Sequence, residues 1–114
     1  MSYQAKGLQA WLLQRLTGVF MALYILYVLG VVLFSENLNY QQWRDWLSHP
    51  LMNTATGLFF LTLAYHAWVG MRDIVIDYIS HDALRLLVLT LISLFLISSG
   101  LYLLKILFSL TLTV

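Results

Sequence analysis

Leu51 to Met71 reads LMNTATGLFFLTLAYHAWVGM, and the chain continues Arg72-Asp73-Ile74-Val75-Ile76-Asp77-Tyr78. The first part is 21 residues without a charged side chain, the length a helix needs to cross the hydrocarbon layer of a bilayer. One histidine sits inside it. At 100° per residue, His66, Gly70, Asp73 and Asp77 fall on one helical stripe, with Thr62 and Phe59 continuing it backwards. Ionisable groups inside membrane spans are rare and usually functional. An imidazole with a glycine one turn away suits a flat macrocycle: the histidine supplies a nitrogen to the iron, and the missing side chain at Gly70 lets the ring plane lie against the helix. The same pair also suits a histidine hydrogen-bonded to a neighbouring helix beside a glycine that serves close packing. Spacing leaves both readings open.

Composition fixes the solvent. Of 114 residues, 61% are hydrophobic and only 10% charged, whereas a soluble domain carries roughly 25% charged residues. The mean hydropathy is +0.84. The chain is therefore read as an all-α membrane protein with a single domain over residues 1–114, too short to enclose a large cavity by itself. Without cysteine it can form no disulfide, no cysteine-ligated iron–sulfur cluster and no covalent c-type haem attachment. A net charge of +1 argues against a nucleic-acid partner.

Two further runs match the first. Leu16 to Phe34 and Leu86 to Leu104 are each 19 residues without a charge. The earlier one is too long for a signal-peptide core and lacks a small-x-small cleavage site, so it is read as a retained span. Trp11 before it suits the headgroup layer. Arg15, Gly18 and Ala22 share a face at its start; small residues there admit a close helix, which would turn Arg15 inward, although a basic residue at this position also snorkels to the interface and sets topology. Between spans 16–34 and 51–71, Asn39 with Gln42 resembles a capping pair. Tyr40, Trp43, Trp46 and Leu47 can share one side of a short interfacial helix, and His49 before Pro50 reads as a turn. Between 51–71 and 86–104, Ser80-His81-Asp82 looks like a hydrolytic triad, but chain neighbours cannot converge on one reacting atom. Ser80 or Asp82 is expected to cap the last helix. Thr90, Ser93, Ile97 and Gly100 form a small, slightly polar packing stripe.

With three spans, the N-terminus and the 72–85 connection share one side, carrying Lys6, Arg15, Arg72 and Arg85. The 35–50 connection and the C-terminus share the other, carrying Arg44 and Lys105. The basic excess predicts a cytoplasmic N-terminus and 72–85 loop, with the 35–50 loop and C-terminus periplasmic.

One pattern runs His66-Ala67-Trp68-x-Gly70-Met71, then Asp77-Tyr78, then Ala83-Leu84-Arg85-Leu86. The first span adds Arg15-Leu16-Thr17-Gly18 and Leu23-Tyr24-Ile25-Leu26-Tyr27. Together these resemble the small hydrophobic membrane-anchor subunits of bacterial succinate dehydrogenase (succinate:quinone oxidoreductase, respiratory complex II), the type with one b haem. The larger sister anchor has a related pattern with a histidine after its arginine. Arg72 fits that version, but Asp73 replaces the second histidine, and Tyr78 follows Asp77 as in the small subunit. The turn Ile79-Ser80-His81-Asp82 matches less well than its flanks.

The resemblance implies a three-span subunit that is half of a six-helix heterodimeric bundle in the bacterial inner membrane. Its partners would be a second anchor of cytochrome b type, an iron–sulfur subunit and an FAD flavoprotein, the whole complex passing electrons from succinate to quinone in the tricarboxylic acid cycle and respiratory chain. It implies that His66 is one axial ligand of a shared haem b, that Arg15 lies near the haem propionates, and that Tyr78 hydrogen-bonds ubiquinone or another quinone with Asp77 beside it. The alternative is a haem-free structural anchor, or the anchor of a related quinol:fumarate reductase. A small transporter would need polar groups midway through several spans, and only His66 is so placed.

Overall fold

A computed structural model describes residues 3–112, with side chains from Gly7 onward. The side chain of Lys6, counted above for orientation, and the last two residues of the apolar tail lie outside the described residues. Four helices follow one another: α1 (Tyr3–Phe34), α2 (Tyr40–Ser48), α3 (Pro50–Tyr78) and α4 (Asp82–Leu112). α1, α3 and α4 are long and apolar enough to cross a membrane, as the three uncharged runs predict.

Each long helix outruns its uncharged core. Charge ends the part of a helix that hydrocarbon tolerates, but not the helix itself. No glycine or proline occurs between Gly70 and Asp82, so α3 continues through Arg72, Asp73 and Asp77 to Tyr78. The stretch read as a connection over 72–85 is thus helical at both ends, and only residues 79–81 lie between helices. At 29 and 31 residues, α3 and α4 are about 43 and 46 Å long against a hydrocarbon core of about 30 Å.

The short connections are held by local polar chemistry. Asn37 adopts φ 56°, a left-handed conformation that asparagine tolerates better than most residues. Asn39 caps α2, its Oδ1 accepting from the Gln42 N–H at 2.8 Å, as its sequence position suggests. Trp43 and Trp46 stack at 5.2 Å, and Tyr27 of α1 stacks on Trp46 at 6.4 Å, while Tyr40 stays exposed. His49 does more than turn the chain: its Nδ1 accepts from the Leu51 N–H at 3.3 Å, capping α3 ahead of Pro50. At α4 the expected cap, Ser80 or Asp82, gives way to His81, whose Nδ1 accepts from the Leu84 N–H at 3.2 Å. Nδ1 stands as far along the side chain as a carboxylate oxygen of aspartate, so it reaches the same amide. Asp82 instead enters the first turn, where the helix dipole favours a negative charge.

α3 is the hub of the fold. It packs against α1 on one side and α4 on the other, and among the described residues the backbones of α1 and α4 do not approach each other. The buried residues are few: Thr56, Phe59, Val69 and Val75 on α3, and Leu107 on α4. α3 and α4 are pinned at both ends. At one, Asn53 Nδ2 donates to the Leu47 and Leu107 carbonyls at 3.1 and 3.0 Å, joining α2, α3 and α4. At the other, Arg85 Nε donates to the Ile79 carbonyl at 3.0 Å and its Nη2 to the Ile76 carbonyl at 3.3 Å. Between the pins the stripe of Ser93, Ile97 and Gly100 lines an apolar groove of about 420 Å³ shared with Ala64, Tyr65 and Trp68. The stripe is thus not tightly packed within this chain, and no described atom beyond Gly100's own stretch of helix lies within 4 Å of a Cβ placed on it.

Candidate functional site

His66 sits half-buried on the seam between α3 and α1. Its Nδ1 lies 3.3 Å from Thr17 Oγ1, and its backbone carbonyl accepts from Gln14 Nε2 at 3.4 Å. Gly18 completes the contact: a Cβ there would stand 3.7 Å from His66 Cε1, an ordinary van der Waals distance. Two turns further along both helices the seam repeats, with the Tyr24 hydroxyl 2.7 Å from Thr56 Oγ1 and its ring stacked on Phe59 at 4.3 Å and 18°. Thr17 and Tyr24 are seven residues apart, as are Phe59 and His66, so one antiparallel register brings both pairs together. Sequence reading singles out His66 and Phe59 and includes Thr17, Gly18 and Tyr24 in a pattern without a role for them, while Gln14 and Thr56 escape it. The signal available was the matching ten-residue spacing of polar residues in otherwise apolar spans, Gln14 to Tyr24 on α1 and Thr56 to His66 on α3.

Both sequence readings of the His66/Gly70 pair meet the geometry in part. His66 does bond a neighbouring helix, through Nδ1. Gly70 does not serve close packing with any described residue, since a Cβ placed on it meets nothing within 4 Å. His66 Nε2 has no hydrogen-bond partner among the described residues. The stripe therefore presents one uncommitted imidazole nitrogen and, one turn on, a bare backbone facing open space. That combination fits a flat ligand lying against α3.

No group of three or more His, Cys, Asp or Glu is placed to hold a metal ion among the described residues. A porphyrin brings four nitrogens of its own and asks the protein only for axial ligands, so a lone histidine suffices on this side. A second imidazole cannot come from this chain. His49 caps the start of α3, about 25 Å along the helix axis from His66, and His81 lies beyond the other end of that helix.

Arg15 is exposed, its guanidinium 5.3 Å above the Trp11 ring, and it pairs with no carboxylate among the described residues. The small face formed with Gly18 therefore brings Gly18, not Arg15, onto α3. Asp77 and Tyr78 occupy the last turn of α3. Tyr78 is 84% exposed, and neither side chain hydrogen-bonds to a described residue. Asp73, on the same stripe, pairs with adjacent Arg72 at 3.2 Å in an exposed contact, worth little. The structure thus brings Thr17, Gly18 and His66 together, keeps Asp77 and Tyr78 side by side at the helix end, and adds Arg85 as the group that secures that end.

Residues 1–101 match the family model described as succinate dehydrogenase/fumarate reductase transmembrane subunit. The succinate dehydrogenase hydrophobic membrane anchor subunit of Coxiella burnetii is 32% identical over 92 residues, covering 81% of this chain and 80% of that protein. The proteins of the same name from Rickettsia conorii and Rickettsia felis are each 33% identical, over 78% of this chain and 71% and 74% of theirs.

Proposed function

The chain belongs to the succinate dehydrogenase/fumarate reductase transmembrane subunit family, and on that premise we propose that it holds one side of a haem b and part of a quinone site. It would do so as the small anchor of a four-subunit succinate:quinone oxidoreductase in a bacterial inner membrane. The observation that carries the haem assignment is the pairing of an uncommitted His66 Nε2 with the open space over Gly70.

His66 would hold the haem iron from this side, and a second anchor would supply a further ligand, because no other histidine of this chain comes near. When bound, the haem supplies a one-electron carrier within the bilayer. The chain's own residues bind and orient it: His66 gives the nitrogen, Gly70 leaves the ring plane free to approach the backbone, and the unpaired charge of Arg15 suits the propionate carboxylates.

For the quinone, Tyr78 is a neutral donor whose hydroxyl is unspent within the chain. A phenol can polarise a carbonyl oxygen and strengthen its bond as that oxygen gains negative charge. Asp77 beside it supplies an acceptor at the same helix end. The iron–sulfur and flavoprotein subunits would dock on this side, which the basic residues assign to the cytoplasm, so that electrons arrive where the quinone is held.

The sparse burial within the chain supports an obligate partner. Few side chains are buried, and most large apolar side chains of α1 and α4 are exposed on the isolated chain. Lipid can cover such a surface, but not a half-liganded haem. The test is the visible and low-temperature spectrum of the purified complex carrying His66→Ala. Loss or loosening of a low-spin b-type haem with intact membrane insertion is expected, and an unchanged low-spin spectrum would refute the assignment.

A further inference from the structure

We propose that Thr17 of α1 is a positioning residue for His66: it fixes the imidazole tautomer and ring direction so that Nε2 carries the lone pair. The inference rests on His66 being a haem ligand and adds which residue outside α3 makes it one.

The argument is an accounting of protons. Thr17 Oγ1 lies 2.8 Å from the Leu13 carbonyl, 3.0 Å from the Gln14 carbonyl and 3.3 Å from His66 Nδ1. A hydroxyl has one proton and two lone pairs, and a carbonyl oxygen can only accept. The two shorter contacts both need the hydroxyl proton, which points between them. The contact to Nδ1 must then use a hydroxyl lone pair, so the hydrogen there belongs to the imidazole. Nδ1–H donates to Thr17, and Nε2 is left unprotonated.

A metal-binding histidine requires that tautomer, and the hydrogen bond made by the other ring nitrogen sets it. The neighbouring turn of α1 reinforces the geometry. Gln14 holds the His66 carbonyl at 3.4 Å, and Gly18 of the same helix lies against Cε1. Two of the imidazole's five ring atoms therefore face α1, and the ring cannot rotate without losing the Thr17 bond. A further consequence is electronic. Donation from Nδ1–H raises the basicity of Nε2, which favours ferric over ferrous iron.

The test compares Thr17→Val, Thr17→Ala and Thr17→Ser in the intact membrane complex, with His66→Ala as reference. The readouts are haem retained during competitive extraction, haem midpoint potential, and the low-spin electron paramagnetic resonance signal of the oxidised haem. Losing an outer partner of a ligand histidine typically weakens metal binding about 10- to 100-fold. Valine should show that loss and a raised potential with a shifted resonance signal, while serine, which keeps the hydroxyl, restores all three. If valine prevents assembly, the alanine and serine variants carry the same comparison. Wild-type values in valine or alanine, or equal losses in alanine and serine, would overturn the role of the hydroxyl while leaving His66 as ligand. An unchanged low-spin spectrum in His66→Ala would instead remove the ligand itself.

Discussion

Replacing Arg85 with methionine should loosen the end of α3 that carries Asp77 and Tyr78. The Arg85 guanidinium donates to the carbonyls of Ile79 and Ile76 at 3.0 and 3.3 Å, crossing the three-residue connection from the first turn of α4. The last four carbonyls of a helix lack intrahelical partners and carry its partial negative charge, so a cation there both satisfies and stabilises them. A hydrogen bond from a charged donor contributes about 1.5–3 kcal/mol. Here one partly exposed guanidinium serves two acceptors at moderate distances, so the joint contribution is set at about 1–2 kcal/mol. Methionine keeps most of the apolar stem and removes both bonds. Local opening should become about 5- to 30-fold more frequent. Hydrogen exchange of the purified complex reads this directly, in the Ile79 amide bonded to the Val75 carbonyl at 2.9 Å and the Leu84 amide capped by His81. Arg85→Lys, which keeps the charge but not the fork, should fall between. Exchange at wild-type rates in Arg85→Met would show that the guanidinium decorates the helix end without holding it.

Tyr78→Phe should leave assembly and succinate oxidation by artificial acceptors intact and slow quinone reduction, by up to about 3 kcal/mol of barrier if this bond dominates; equal quinone rates would return Tyr78 to the role of an interfacial aromatic. Gly70→Leu should lower haem content in an inserted, assembled complex, because the new side chain occupies the open space beside His66, whereas Gly18→Ala should retain haem, since its Cβ would make only a 3.7 Å contact. Full haem occupancy in Gly70→Leu would contradict a macrocycle lying there. Tyr24→Phe keeps the stack on Phe59 and loses the 2.7 Å bond to Thr56, costing about 1 kcal/mol of complex stability. A double-mutant cycle with Thr56→Val should show coupling of about 0.5–1 kcal/mol, and additive losses would mean the two hydroxyls act separately.

What the sequence made legible was whatever one helix says about itself. Three uncharged runs named three long helices, and the 100° stripe placed His66 and Gly70 together without knowledge of any neighbour. The α1 half of the site was hidden for a physical reason. Thr17 satisfies its hydroxyl on its own backbone as well as meeting His66, so its presence in an apolar span does not reveal which way it faces. Gln14 and Tyr24 declare themselves only once the antiparallel register is known. The helix ends are not legible in charge, which bounds the uncharged span at Met71 while α3 itself runs on to Tyr78. His81 was passed over as a cap because imidazole is a less usual choice than the serine and aspartate on either side of it.

The placement of α3 between two helices that do not meet also orders the making of the protein. α1 leaves the ribosome first, and its long-helix partner is α3, not α4. Thr17 and Tyr24 therefore enter the bilayer before their α3 counterparts exist, Thr17 with carbonyls of its own helix to satisfy it. Arrival of α3 completes that seam in one step, since both polar pairs share a register. α4 then docks on α3 through Asn53 and Arg85, without its backbone approaching α1. The α1–α3 seam that holds His66 can thus form before α4 is synthesised, from a helix pair whose contacts need nothing from α4.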